Sequence, residues 1–341
     1  MNAYRKGPLA VASAALAALA ALAGAHTAHA ADAKLSIMVG GATKIIYLPA
    51  RLTEQLGYFK EEGLDVEILS QPAGVDAENE LLAGAVQGVV GFYDHTIDLQ
   101  SKGKEVEAVV VFGKVPGEVE MVATRAAGQI KSMADVKGKT LGVTGLGSST
   151  NFLTQYLAFK AGVAPSQYTV LPVGADNSFM AAIRQSRIDA GMTTEPTISQ
   201  LLKTGEAQVL VDMRTAEGTT QALGGLYPAS SLYMQRAWVE GHKEQVQKLA
   251  RAFVKTMRFI KTHSAEEIAQ KMPKDYYGNN RELYVKALGA SLPMFTDDGR
   301  MPAGGPETVL KVLASFDPTV KGKHIELGRT FTNEFVDRTA K

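Results

Sequence analysis

The residues best placed to do chemistry sit just after apolar runs, where a strand would hand over to a helix. Gly145-Leu146-Gly147-Ser148-Ser149-Thr150 is such a junction. A helix starting there offers unpaired N–H groups and a partial positive charge. Ser148, Ser149 and Thr150 add hydroxyl donors, a set that suits a carboxylate or sulfonate. One of these serines would serve equally as an ordinary helix cap. Phe92-Tyr93-Asp94-His95-Thr96 follows Val89-Val90 in the same manner. Asp94 can cap a helix there, while Tyr93 and His95 can face a cleft; the plain alternative for His95 is a surface-loop histidine. Thr43, Lys44 and Tyr47 follow the first apolar run, and Lys44 either meets an anion or is solvated. In Thr193-Thr194-Glu195-Pro196, Glu195 can accept from a ligand, brace an opposing lobe, or favour a helix start. Phe179 and Tyr227 are candidate apolar walls, or simple core.

Catalytic signatures are missing. The chain has no G-x-S-x-G, no H-E-x-x-H and no clustered His/Asp/Glu ligand set. Beyond residue 30 its histidines are His95, His242, His263 and His324, and the last three lie in polar, helical surroundings. Lys137-Gly138-Lys139-Thr140 resembles the end of a phosphate loop, but Met133 replaces its first glycine and a strand follows. A dinucleotide site is equally poor, since Thr150 stands where the third glycine belongs. We therefore expect no enzyme activity, no cofactor and no metal.

The composition sets wider limits. Of 341 residues, 45 % are hydrophobic and 21 % charged, which excludes a disordered or fibrous chain. Lys and Arg number 36 against 35 Asp and Glu, so charge gives no case for nucleic acid or an anionic membrane surface. With no cysteine there are no disulfides, thiolate metal sites or lipidated cysteines. The first thirty residues read as a secretory signal: Arg5 and Lys6, an Ala/Leu-rich stretch from Leu9 to Ala25, then Ala28-His29-Ala30 as a cleavage site. No later segment reaches the roughly 20 apolar residues of a spanning helix. The expectation is a periplasmic protein cleaved after Ala30, without membrane insertion.

Strand and helix patterns alternate in two series. Strands are expected at Leu35–Val39, Val66–Leu69, Gly88–Gly91 and Ala108–Phe112, with helices between them. After a change of lobe near Met121–Thr124, strands follow at Thr140–Thr144, Tyr168–Pro172, Asp189–Met192 and Gln208–Val211. Glu217-Gly218 to Gly224-Gly225 reads as a glycine-containing loop, and Ser231–Gln235 as a returning strand. Val246, Leu249, Ala250, Phe253, Val254, Met257 and Ile260 form the apolar stripe of a long helix. The fold class is α/β, with a mixed, mostly parallel sheet flanked by helices in each lobe. Lobe I comprises residues 31–122 and 232–341, and lobe II residues 123–231.

Leu48-Pro49-Ala50, Leu56-Gly57-Tyr58-Phe59-Lys60-Glu61-Glu62-Gly63-Leu64-Asp65-Val66, Gly138-Lys139-Thr140-Leu141-Gly142-Val143, Gly147-Ser148-Ser149-Thr150, Gln185-Ser186-Arg187-Ile188-Asp189-Ala190 and Glu195-Pro196 occur in this order. The pattern resembles the periplasmic solute-binding proteins of ABC importers, of the nitrate/sulfonate/taurine type that shares its fold with thiamine-precursor binders. The resemblance implies a two-lobed, type II-like binding-protein fold with crossovers near Met121–Thr124 and Ser231–Met234. It places binding loops at Thr43–Tyr47, Tyr93–Thr96, Ser148–Thr150, Glu195 and Gly225–Tyr227. The thiamine-precursor enzymes of this fold carry a cysteine-rich segment with no counterpart here. The role expected of such a chain is capture of a small organic anion between the lobes and its delivery to a permease and ATPase complex. The alternatives are an exported enzyme, for which His95 with Asp94 is the local candidate base, or a sensory receptor.

Overall fold

A computed structural model describes residues 1–2, 34–278 and 280–339. The expected signal segment falls almost wholly outside the described residues. From Lys34 onward the contacts divide the chain no further.

The first sheet contains β1 (Leu35–Gly40), β2 (Val66–Gln71), β3 (Gly88–Phe92) and β4 (Val106–Val111). The second contains β5 (Glu118–Ala123), β6 (Thr140–Val143), β7 (Thr169–Pro172), β8 (Ala190–Thr194) and β9 (Ala207–Asp212). Then β10 (Ser230–Gln235) returns to the first. Each sheet has five strands, in the orders β2-β1-β3-β10-β4 and β7-β6-β8-β5-β9. The two orders are equivalent. In each, three parallel strands are followed by one antiparallel strand that has crossed from the other half, then by an edge strand. Both sheets are thus mixed and helix-flanked, as expected.

The lobe change comes earlier than the sequence suggested. β5 already belongs to the second sheet, so the chain crosses before Glu118 rather than at Met121–Thr124. It returns before Ser230, not within Ser231–Met234. The reason is visible in β5 itself: Glu118 and Glu120 interrupt an otherwise apolar run and hide a strand buried along its whole length.

Alternation sorts each strand between two faces. Ile37, Val39, Val90 and Leu232 join the core under the helix Lys243–Thr262. Met38, Val89 and Tyr233 point the other way, into a core that also holds Ala77 and Leu81. The predicted stripe of the long helix is buried throughout, and Phe253 meets Phe59 and Phe112 with ring centroids 5.3 and 4.9 Å apart. No helix among the described residues is long and apolar enough to cross a membrane.

One expected loop is a helix. Ala216–Leu223 is helical although Gly218 lies inside it. A Cβ at Gly218 would sit 2.3 Å from the Asp212 carbonyl oxygen, so the glycine lets this first turn pack on the end of β9. The Thr215 hydroxyl accepts from the Gly218 N–H at 3.1 Å and fixes the helix start. Thr215→Ala is expected to cost about 1 kcal/mol in urea unfolding. An unchanged midpoint would show that packing alone starts this helix.

Candidate functional site

The loops chosen at strand ends meet across the two sheets. Among the described residues, hydrogen bonds join the halves at this seam. Ser149 Oγ donates to Asp94 Oδ2 at 2.6 Å, and Thr43 Oγ1 to Asp176 Oδ2 at 2.6 Å. The Val75 N–H donates to Ser148 Oγ at 3.3 Å, and the Ile45 N–H to the Glu195 carbonyl at 3.0 Å. The serine motif is therefore more than a helix cap. Ser148 occupies the N-cap of Ser149–Lys160 but makes no capping bond with its side chain; its oxygen is used across the seam. Thr150 shapes the loop from within, through the Thr144 N–H and hydroxyl.

A small cavity of about 10 Å³ lies at this meeting point, lined by Lys44, Tyr47, Gly74, His95, Glu118, Thr144, Ser148, Ser149 and Thr150, with Ile46. That is room for a single water. Gly74 keeps it open, because a Cβ there would lie 3.0 Å from His95 Cε1. A wider groove of about 900 Å³ runs along the seam outside it, past Thr43, Asp176, Arg184 and Tyr276. We take the small cavity as the site because two of its lining residues, His95 and Glu118, carry buried polar atoms without partners, whereas Arg184 in the groove is already paired with Glu206.

Lys44 is buried, and its ammonium donates to the Gly40 carbonyl at 2.7 Å. Burial lowers its pKa, against the pull of Asp176, Glu118 and Asp76. Burial raises Glu118 far above the carboxylate range, and the Asp94 charge adds to this. Asp94 is pushed up to about 7 by burial, although Ser149 and Tyr227 both donate to it, Tyr227 at 2.9 Å. His95 is fully enclosed, not a surface histidine, and burial takes it down to about 3. Its imidazole is thus neutral near pH 7, so its approach to Glu78 Oε2 at 3.2 Å is not an ion pair. Nδ1 also lies 3.1 Å from Tyr233 Oη. Glu118 Oε2, His95 Nε2 and Asp94 Oδ1 are buried and have no hydrogen-bond partner.

The structure thus gathers Lys44, Tyr47, His95, Ser148, Ser149 and Thr150 round one cavity, with Asp94 and Tyr227 in the next layer. Thr43 stands at the rim on Asp176. Three candidates lie elsewhere. Tyr93 turns its hydroxyl to Thr330 and its ring to Phe331. Phe179 is fully buried in the core. The Glu195 carboxylate is taken by Arg214 and the Ser199 N–H, each at 2.9 Å, so this residue braces the seam through its carbonyl.

Glu118 is the charged cavity residue that sequence reasoning missed, along with Ile46, Gly74 and Thr144. The usable signal was two carboxylates, Glu118 and Glu120, in an otherwise apolar strand, which are tolerated only when paired or put to use.

Comparison with known proteins agrees with this architecture. The model of the family described as NMT1/THI5 like matches residues 47–267. A protein of Bordetella bronchiseptica RB50 of known structure is 35 % identical and superposes with a TM-score of 0.86, over 90 % of this chain and 96 % of that one. The alkanesulfonate-binding protein SsuA from Xanthomonas axonopodis pv. citri, bound to MOPS, gives 0.68 at 19 % identity, over 88 % and 98 %. A 4-amino-5-hydroxymethyl-2-methylpyrimidine phosphate synthase of Legionella pneumophila is 26 % identical over 47 % of this chain and 49 % of its own length. The chain spans about half the length of the curated relatives it matches first. With the matched family model covering most of the two-sheet unit, and sulfonate- and nitrate-binding proteins among its structural neighbours, this chain belongs to the NMT1/THI5-like family and has the periplasmic binding protein fold.

Proposed function

We propose that this chain is the solute-binding component of an ABC importer. It captures a small organic anion, a sulfonate or carboxylate, between its two lobes and presents it to a membrane permease with its ATPase. The observation that carries this reading is the cavity itself: loops from two sheets converge on it and bond directly to one another. A cavity of about 10 Å³ cannot admit a solute while those bonds hold, so capture requires the lobes to part and close again. A ligand touching both lobes then favours the closed form by its differential affinity. Lys44 and the Ser148–Thr150 loop supply positive charge and donors for the acid group. Tyr47 faces the rest of the solute, with Tyr227 behind it on Asp94. A periplasmic location is supported by the signal-like first thirty residues and by the fold.

Titration calorimetry with small organic sulfonates and carboxylates is expected to give saturable one-to-one binding. The solute should be recovered chemically unchanged after long incubation. Binding of a simple cation but of no anion would overturn the ligand class.

The synthases matched over part of their length favour a second reading, an enzyme with His95 as base against Glu78 and Asp94. Turnover of the bound solute would establish it.

A further inference from the structure

The seam encloses more acid than it balances. Asp94 comes from the half of the first sheet and Glu118 from β5 of the second; both are buried, and Asp94 Oδ1 and Glu118 Oε2 have no hydrogen-bond partner. Lys44 is the lysine at their cavity, and its ammonium is already on the Gly40 carbonyl. The other groups facing Asp94 bring no positive charge. They are the hydroxyls of Ser149 and Tyr227, those of Tyr47 and Tyr233 further off, the neutral imidazole of His95, and two more acids, Asp98 and Glu78. Lys102 behind them is paired with Asp98 at 2.6 Å. Glu118 faces Lys44, Asp94 and Glu120, while Lys44 also feels Asp176 and Asp76.

This enclosure exists only while the halves are together. Ser149 reaches Asp94 from across the seam, and Lys44 and Glu118 line one cavity from opposite halves. Parting the halves returns both carboxyls to water, where such groups ionise at about pH 4. Joining them buries two negative charges against one positive charge, which is costly unless a proton enters. The closed structure agrees: burial raises Asp94 from 3.8 to about 7, and raises Glu118 well above its ordinary value. A group whose pKa is higher closed than open favours closure at low pH, and that preference is lost as pH rises through the closed value. Burial moves Lys44 and His95 downward, so they act in the opposite sense. His95 does so only below its open value near 6.5, and Lys44 offsets at most one of the two acids.

We infer that closing the seam takes up a proton at the Asp94–Glu118 pair, so that the closed form is favoured near neutral pH and gives way to the open form in mild alkali. This rests on reading the seam as one that opens. The seam is then a pH-sensitive clasp as well as a place of capture, and its state responds to the surrounding medium before any solute arrives.

Dye-pair energy transfer on the intact chain, without solute, tests this. The chain has no cysteine, so Glu282→Cys and Lys203→Cys give two unique labelling points. Both positions are exposed; Glu282 adjoins Leu283 on one wall of the outer groove, and Lys203 lies on the other. Between pH 6.5 and 8.5 the ratio of closed to open molecules is expected to fall about tenfold, the change that one net proton gives per pH unit. Glu118→Gln and Asp94→Asn, each added to the labelled chain and checked by circular dichroism, are expected to flatten that slope. Either variant decides the matter if the other misfolds. A ratio that does not change with pH, a single distance at every pH, or a full slope in a folded Glu118→Gln or Asp94→Asn variant overturns the inference. The capture reading fails separately, on the absence of anion binding in calorimetry.

Discussion

Gly40→Ala is expected to lower the thermal midpoint by roughly 6–9 °C and to abolish solute capture. Gly40 closes β1, and a Cβ built on it would lie 2.6 Å from Gly74 Cα and 2.7 Å from Gly74 N. These are main-chain atoms at the start of the helix Gly74–Leu82, so no side-chain rotation relieves the clash. Overpacking of this kind costs about 3 kcal/mol, and in a chain of this size each kcal/mol moves the midpoint by about 2–3 °C. The site suffers as well. The Gly40 carbonyl holds the Lys44 ammonium, and Gly74 lies against His95 and Ser148. Differential scanning calorimetry and a binding titration on the same sample check both parts. A variant with an unaltered midpoint would mean that the β1 end and this helix slide apart freely, and that the backbone contact does not position the site.

The second large effect is one of pH. Glu120 is completely buried on β5; it receives the Thr154 hydroxyl at 2.7 Å, and its other oxygen has no partner. Burial pushes its carboxyl up to about 8. A carboxyl raised in this way is stable in its protonated form, so its contribution to folding is intact at low pH. That contribution falls as pH climbs from the unfolded value near 4.5 to the folded one near 8. Glu120→Gln keeps the shape and removes the ionisation. It is expected to leave stability near pH 5 little changed and to raise it at pH 8 by on the order of a few kcal/mol. Chemical denaturation at the two pH values measures this. His95 acts in the opposite sense. Its lowered pKa means that stability is lost as pH falls from about 6.5 toward 3. A stabilisation by Glu120→Gln equal at both pH values would show that this carboxyl is not protonated in the folded protein.

Much of this was legible in the chain. Alternation and glycine punctuation located β1, β2 and β3, and the stripe from Val246 to Ile260 located the long helix, because both periods report which side is buried. Strand-end reasoning chose the loops of Lys44, His95 and Ser148–Thr150, since ligands in open α/β sheets gather at the carboxyl ends of strands. What stayed hidden depended on partners remote in sequence. Glu118 was not singled out, because only the seam brings it to the cavity that Lys44 also lines. Glu195 stood open between a ligand contact, a brace and a helix start until Arg214 took its carboxylate. Gly218 looked like loop because its reason, the Asp212 carbonyl beneath it, lies outside its own helix.

The exchange of β5 and β10 between the sheets has a consequence for how the molecule is made. During synthesis, β3 and β4 emerge more than a hundred residues before β10, the strand that must slot between them. Until then their facing edges have no neighbour, and such edges are prone to join those of other chains. The amino-terminal half is therefore unfinished for as long as the polypeptide is short of Gln235, and shortened fragments ending before that residue should be found in aggregates.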